Sequence, residues 1–260
     1  MKPIVRRGLG LLLIASCVVL LVITTSMSVR ERRGRTCQGR ADMEVIVSDS
    51  LERRFVTKDD VADWLEKDYG VFLGQPLDSV DLHRIEGLVE AHSVVLSCQA
   101  WLTDDGVLHV QLNQREPVVR FDDGENGYYA DASGFVFPLQ ERGSVDVPVV
   151  DGKIPMRIPK GFKGTPEDEA EAAWLGQIID MINTLRGTVW EKNIVKISVD
   201  DKNDLVFTPR KGDERFLFGQ PVRVEEKMHL MEAYYTSGLA DKKIYRTVDV
   251  RYRGQLVCRK

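Results

Sequence analysis

Residues 8–29 carry no charged side chain, and they contain the apolar runs Leu11-Leu12-Leu13-Ile14 and Val18-Val19-Leu20-Leu21-Val22-Ile23. As a helix rising about 1.5 Å per residue, the stretch is roughly 33 Å long, enough to cross the hydrocarbon core of a bilayer. Nothing after Val29 resembles it. The pattern predicts one N-terminal membrane helix with a long polar chain behind it. A cleavable signal peptide is the competing reading, with an apolar stretch of about 7–15 residues and a small-x-small exit. The apolar core over 9–23 reaches that upper limit, but the exit Thr24-Thr25-Ser26-Met27-Ser28 is not of that type, which favours a retained anchor.

Basic residues flank both ends of the run. Lys2, Arg6 and Arg7 precede it, and Arg30, Arg32, Arg33, Arg35 and Arg40 follow it. A literal count keeps the C-terminal side in the cytoplasm, whereas long domains translocate largely regardless of charge. Charge alone leaves the sidedness open. The arginines of 30–40 are expected to touch lipid headgroups.

A net charge of −4 and a pI near 5.7 argue against a nucleic-acid footprint, which is usually basic. Cys17 lies in the apolar run, leaving Cys37, Cys98 and Cys258. There is no C-x-x-C and no nearby histidine pair, so a zinc site is not indicated. One disulfide among the three, in an oxidising compartment, and buried free thiols are equally open readings.

Met43 to Val47 reads as a strand. Thr57 is a helix N-cap with Asp59 and Asp60 in the first turn, Val61, Trp64 and Leu65 form an apolar face, and Gly70 ends it. Pro76-Leu77-Asp78-Ser79 is expected to start a second helix striped by Leu82, Ile85, Leu88 and Val89. Strands follow over 94–102 and 107–113, joined by the turn Asp104-Asp105-Gly106. The order is β-α-α-β-β. Beyond Arg115-Glu116-Pro117, short strands alternate with turns. Thr165-Pro166-Glu167-Asp168-Glu169 is expected to open a helix carrying Trp174, Leu175, Ile178, Ile179, Ile182 and Leu185. Val224, Met228, Leu230, Met231, Tyr234 and Tyr235 stripe another. The fold class is α+β: a cytoplasmic tail over 1–7, a transmembrane helix over 8–29, a linker over 30–41, a first domain over 42–117 and a β-rich domain with two helices over 118–260.

No catalytic constellation stands out. His83, His92, His109 and His229 have no metal-ligand spacing, and no nucleophile elbow or phosphate loop occurs. Cys98 and His109 could be drawn as a thiol–imidazole pair. Alternation instead puts Cys98 among buried Val94, Leu96 and Ala100, with His109 toward solvent. The acidic pairs sit at caps and turns, where aspartate bonds locally. Trp64 and Trp174 lie on apolar stripes and are expected in the core. No cofactor is implied, which leaves binding. The terminal strand Gln255-Leu256-Val257-Cys258-Arg259 has no later element to cover it. It is either an open sheet edge or one blunted by Arg251, Arg253, Arg259 and Lys260.

Several segments resemble one family. Gln114-Arg115-Glu116-Pro117 is similar to its R-E-P link, and Asp131-Ala132-Ser133-Gly134-Phe135-Val136-Phe137 to its D-x-x-G-x-V-F hairpin. Val147-Pro148-Val149-Val150-Asp151-Gly152 is similar to its L-P-x-L-x-G, and Val248-Asp249-Val250-Arg251-Tyr252 to its V-D-L-R-Y strand. In this order, behind such an anchor, the chain resembles the bacterial cell-division family FtsQ/DivIB.

The resemblance implies a POTRA domain followed by a β domain with exposed C-terminal strands, in a non-catalytic divisome scaffold. It implies a single-pass type II protein of the inner membrane, at the division site, with the bulk of the chain periplasmic. The implied partners are FtsB- and FtsL-like single-pass coiled-coil proteins, other divisome components and membrane lipid, with no nucleic acid and no small-molecule substrate. The implied contact residues are Arg251, Tyr252, Gly254, Gln255, Leu256 and Val257. The cysteines and the very short tail depart from the family pattern. Rival readings are an anchored POTRA-type binding or assembly protein of another envelope pathway, or an anchored hydrolase. The first, if it served outer-membrane assembly, would need a barrel or repeated POTRA units, and the second lacks its constellation.

Overall fold

The computed structural model describes residues 14–27, 35–37, 39–40, 42–48, 55–124, 126–140 and 144–260. The chain divides into two compact units, Met1–Ser50 with Val56–Gln114, and Leu51–Phe55 with Arg115–Lys260.

Residues 14–27 form a helix, α1. The rest of the expected anchor over 8–29, the tail over 1–7 and linker residues 30–34, 38 and 41 lie outside the described residues. Among the described residues, no helix is long and apolar enough to cross a membrane.

The first unit is built from β1 (Glu44–Val47), α2 (Lys58–Asp68), α3 (Leu82–Glu90), β2 (Val95–Leu102) and β3 (Leu108–Gln114). Thr57 caps α2 reciprocally: its hydroxyl accepts from the Asp60 N–H, and the Asp60 carboxylate accepts from the Thr57 N–H at 2.9 Å. The second helix starts later than expected. Pro76 to Ser79 make only a 3₁₀ turn, Val80 is extended, and Asp81 supplies the cap by accepting from the Arg84 N–H at 3.0 Å. The sheet order is β1-β3-β2, with β1 parallel and β2 antiparallel to the central strand. Val61, Leu65, Ile85 and Val89 of the helices and Leu108, Val110 and Leu112 of β3 are buried.

A bulge in β2 changes one expectation. The register shifts between Val95 and Ser97, so Val95 and Cys98 are buried while Leu96 turns outward, 56% exposed. Trp64 is half-buried and stacks on His92 at 3.5 Å, at the margin of the core.

The second unit holds β4 (Pro117–Asp122), β5 (Gly127–Asp131), β6 (Val136–Pro138), β7 (Val149–Gly152), α4 (Glu169–Leu185), β8 (Ile194–Val199), β9 (Leu205–Pro209), β10 (Arg215–Gly219), α5 (Val224–Thr236), β11 (Thr247–Asp249) and β12 (Val257–Arg259). All nine strands join one sheet in the order β12-β11-β10-β9-β8-β7-β4-β5-β6. Parallel strands need a crossover. Here α4 connects the parallel pair β7 and β8, and α5 connects β10 and β11. The α4 cap is Asp168, which accepts from the Ala170 and Glu171 N–H groups at 2.9 and 3.0 Å, three residues after the expected Thr165. Leu175, Ile178, Ile182, Met228, Met231 and Tyr234 of the helices pack with Ile197, Phe207, Phe216 and Phe218 of the strands, and Trp174 lies partly buried against this core.

Candidate C-terminal docking edge

The quoted segments turn out to be structural devices of the second unit. Arg115 Nη1 donates to Asp131 Oδ2 at 2.8 Å, and its guanidinium lies 3.6 Å from the Phe135 ring centre. The other Asp131 oxygen accepts from the Ser133 and Phe135 N–H groups at 2.9 and 3.1 Å, closing the β5–β6 hairpin. Gly152 has φ +90°, and a Cβ there would stand 2.3 Å from the Val199 carbonyl oxygen on the neighbouring strand. Only glycine fits that approach.

The V-D-V-R-Y segment builds the candidate site. Asp249 and Arg251 are two apart, the spacing that puts side chains on one side of an extended chain. Asp249 is 0% exposed. Arg251 donates from Nε to Asp249 Oδ1 at 2.9 Å and from Nη2 to Oδ2 at 2.8 Å, and Nη1 reaches Asp204 Oδ2 at 3.1 Å. The guanidinium holds the Asp249 carboxyl below the usual carboxylate range. Gly219, with φ +74°, leaves room for this side chain: a Cβ there would meet Arg251 Cγ and Cδ at 2.9 Å.

A second set of bonds fixes the turn after Arg251. Arg223, itself left-handed at φ 55°, donates from Nη2 to the Arg251 carbonyl at 2.8 Å and pairs with Glu226 at 3.2 Å. Glu226 Oε1 accepts from the Gly254 N–H at 2.9 Å, and this bond and Arg223 lower its pKa. Beneath them Lys227 is 2% exposed, donates to the Gln220 carbonyl at 2.6 Å and lies 4.6 Å from the Phe218 ring centre. Burial, with Arg223 nearby, brings its pKa down to about 8.

The six expected contact residues therefore divide. Tyr252, Gly254, Gln255 and Val257 are exposed, Tyr252 to 49%. Leu256 packs against the core. Arg251 is a clamp that shapes the turn. The expected strand over 255–259 is shorter, because the turn and Leu256 hold the chain away from β11 until Val257. Asp204, Arg223, Glu226 and Lys227 were not anticipated. They come from the residue before β9, the N-cap of α5 and the first turn of α5, and only the fold brings them to β11.

β12 is the outermost strand on one side of the sheet, paired with β11 through Asp249 and Val257. The opposite edge is covered: Val136 exchanges two main-chain bonds with Gly164 at 2.8 and 3.0 Å, and Pro138 lacks a donor. Two outward N–H groups on the β2 edge of the first unit are also taken. Glu90 and Glu86 of α3 accept from the Cys98 and Ala100 N–H groups at 2.8 and 2.9 Å.

Other candidate groups do not converge. Cys98 pairs with Leu112 on the helix side of its sheet, and His109 pairs with Trp101 on the other. Burial and the charges of Glu90 and Glu86 push the Cys98 thiol up to about 12, which keeps it protonated. Cys17, Cys37, Cys98 and Cys258 are all free thiols.

A family model described as FtsQ/DivIB, C-terminal related, matches residues 116–259, and a POTRA-like domain model matches 36–113. No curated protein matches the chain. The nine-stranded unit with its V-D-V-R-Y clamp lies within the first match, the β-α-α-β-β unit within the second, and the chain belongs to the FtsQ/DivIB family of POTRA-bearing cell-division scaffolds.

Proposed function

We propose that this chain is a single-pass, non-catalytic anchor of the divisome. Residues 8–29 cross the cytoplasmic membrane with Lys2, Arg6 and Arg7 inside. The edge of β12 captures FtsB- and FtsL-like single-pass coiled-coil proteins by strand addition. The observation that carries this reading is the contrast between edges. In the nine-stranded sheet the outward N–H and carbonyl of Val136 on β6 are both taken by Gly164, while β12 is outermost beside exposed Tyr252 and Val257. A partner strand there would gain main-chain hydrogen bonds, and Tyr252 would supply an aromatic anchor of the kind that dominates interfaces.

Tyr252→Ala tests the reading. Its side chain is exposed, so the fold should keep its melting midpoint, while capture of the FtsB-like coiled-coil protein by the full chain should fall at least tenfold. Unchanged capture refutes the docking edge. Depletion in the native cell should give filaments without septa, and normal septation refutes the division role.

A further inference from the structure

The linker was expected to lie on lipid, yet its described part is folded onto the first unit. Thr36 forms an antiparallel bridge with Pro76. Cys37 N–H donates to the Gln75 carbonyl at 2.9 Å, Gly74 N–H to the Cys37 carbonyl at 2.9 Å, and Leu77 N–H to the Arg35 carbonyl at 3.2 Å. Cys37 is buried. The Arg35 guanidinium donates to the Asp104 carbonyl in the β2–β3 turn. Arg40 faces Asp59, Asp63 and Glu66 at 3.5, 2.8 and 3.3 Å, so its charge is matched by three carboxylates of α2. Residues 35–37 and Arg40 are thus bonded into the first unit.

The tether is correspondingly short. Eight residue steps separate Met27, the last described residue of α1, from Arg35, at most about 29 Å of extended chain. The pinned end sits at the 103–106 turn. Ser93 precedes β2 at the other end of the same strand, whose eight residues span about 26 Å.

We propose that Arg35, Thr36, Cys37 and Arg40 form a staple that holds the 103–106 end of the POTRA-like unit toward the phospholipid headgroup layer, with the Ser93 end turned away. This rests on the reading of 8–29 as a membrane anchor. It assigns an orientation that chain order alone does not impose, because a free linker over 30–41 would let the unit tumble. Asp104 and Asp105 at the turn do not favour anionic lipid, so the short tether, and not charge attraction, supplies the orientation.

The test uses the full chain in phosphatidylcholine vesicles containing a nitroxide-headgroup lipid. A fluorescent residue is introduced genetically at Asp105 or at Ser93. Quenching should be at least twofold stronger at 105. Inserting about twenty Gly/Ser residues after Arg33, which leaves the staple intact, should abolish the difference. Equal quenching at the two positions in a chain that floats with the vesicles overturns the orientation alone. A difference that survives the insertion also overturns it, because lipid affinity would then supply the orientation. A chain that does not float overturns the anchor reading and this inference with it.

Discussion

Arg251 grips Asp249 with two parallel hydrogen bonds, at 2.9 and 2.8 Å, directly beside the outermost strand of a nine-stranded sheet. Asp249 is fully buried and Arg251 partly exposed, so the pair sits where a planar fork has most geometric value. It sets the course of the chain from β11 into the turn that presents Tyr252.

Asp249→Asn should destabilise the second unit by about 2 kcal/mol, since a charged bond is replaced by a neutral one and Arg251 keeps Asp204. The pH dependence follows from the lowered carboxyl pKa. Stability from the pair is present above the unfolded pKa of about 4 and is lost as pH falls through the lower folded value. Urea midpoints of wild type and variant should differ at pH 7 and converge in acid.

Lys227 gives a slope of the same sign at the other end of the scale. Its pKa falls from 10.5 unfolded to about 8 folded, so its charged form opposes folding. Between about pH 8 and 10.5 the neutral folded form is favoured, and stability rises by up to about 1.4 kcal/mol per pH unit from this group. Below about pH 8 its contribution is flat. Lys227→Met should remove that rise, measured as the change in urea midpoint between pH 8 and 10 relative to wild type.

Gly152→Ala and Gly254→Ala separate two kinds of glycine. Gly254 has φ +65° and open space around it, so alanine should cost about 1 kcal/mol from the left-handed backbone alone. At Gly152 the added Cβ also collides with the Val199 carbonyl, and the loss should reach about 3 kcal/mol. Denaturant melts that rank the two equally would contradict the close approach of β7 and β8.

Cys98 should resist alkylation in the native chain. Its thiol is buried and pushed up to about 12, so at pH 8 almost none is thiolate. Mass spectrometry after iodoacetamide should find Cys98 unmodified before denaturation and modified after it. Cys258, on the edge strand and only partly buried, should react first of the two.

Local chemistry made much of this molecule legible in the chain. The Thr57 capping box, the apolar stripes of α4 and α5, and the alternation of β3 follow from bonding within a few residues or from a fixed period. The recognisable segments were legible too, because each does its work against a specific neighbour: Arg115 on Asp131, Gly152 on Val199, Arg251 on Asp249.

Tertiary structure decided the rest. Leu96 faces outward only because a bulge inserts one residue, which inverts the alternation upstream of Cys98. Asp81 and Asp168 won the helix starts from Pro76 and Thr165 because the backbone N–H groups that each helix leaves unpaired fall within reach of those carboxylates. Arg35 and Arg40 have protein partners because the Asp104 carbonyl and three α2 carboxylates stand beside them in the folded unit. The proposed docking edge depends on long-range pairing above all. A strand is an edge only by where it falls in the sheet order. The clamp beside it gathers Asp204, Arg223, Glu226 and Lys227 from elements that no local pattern joins to β11.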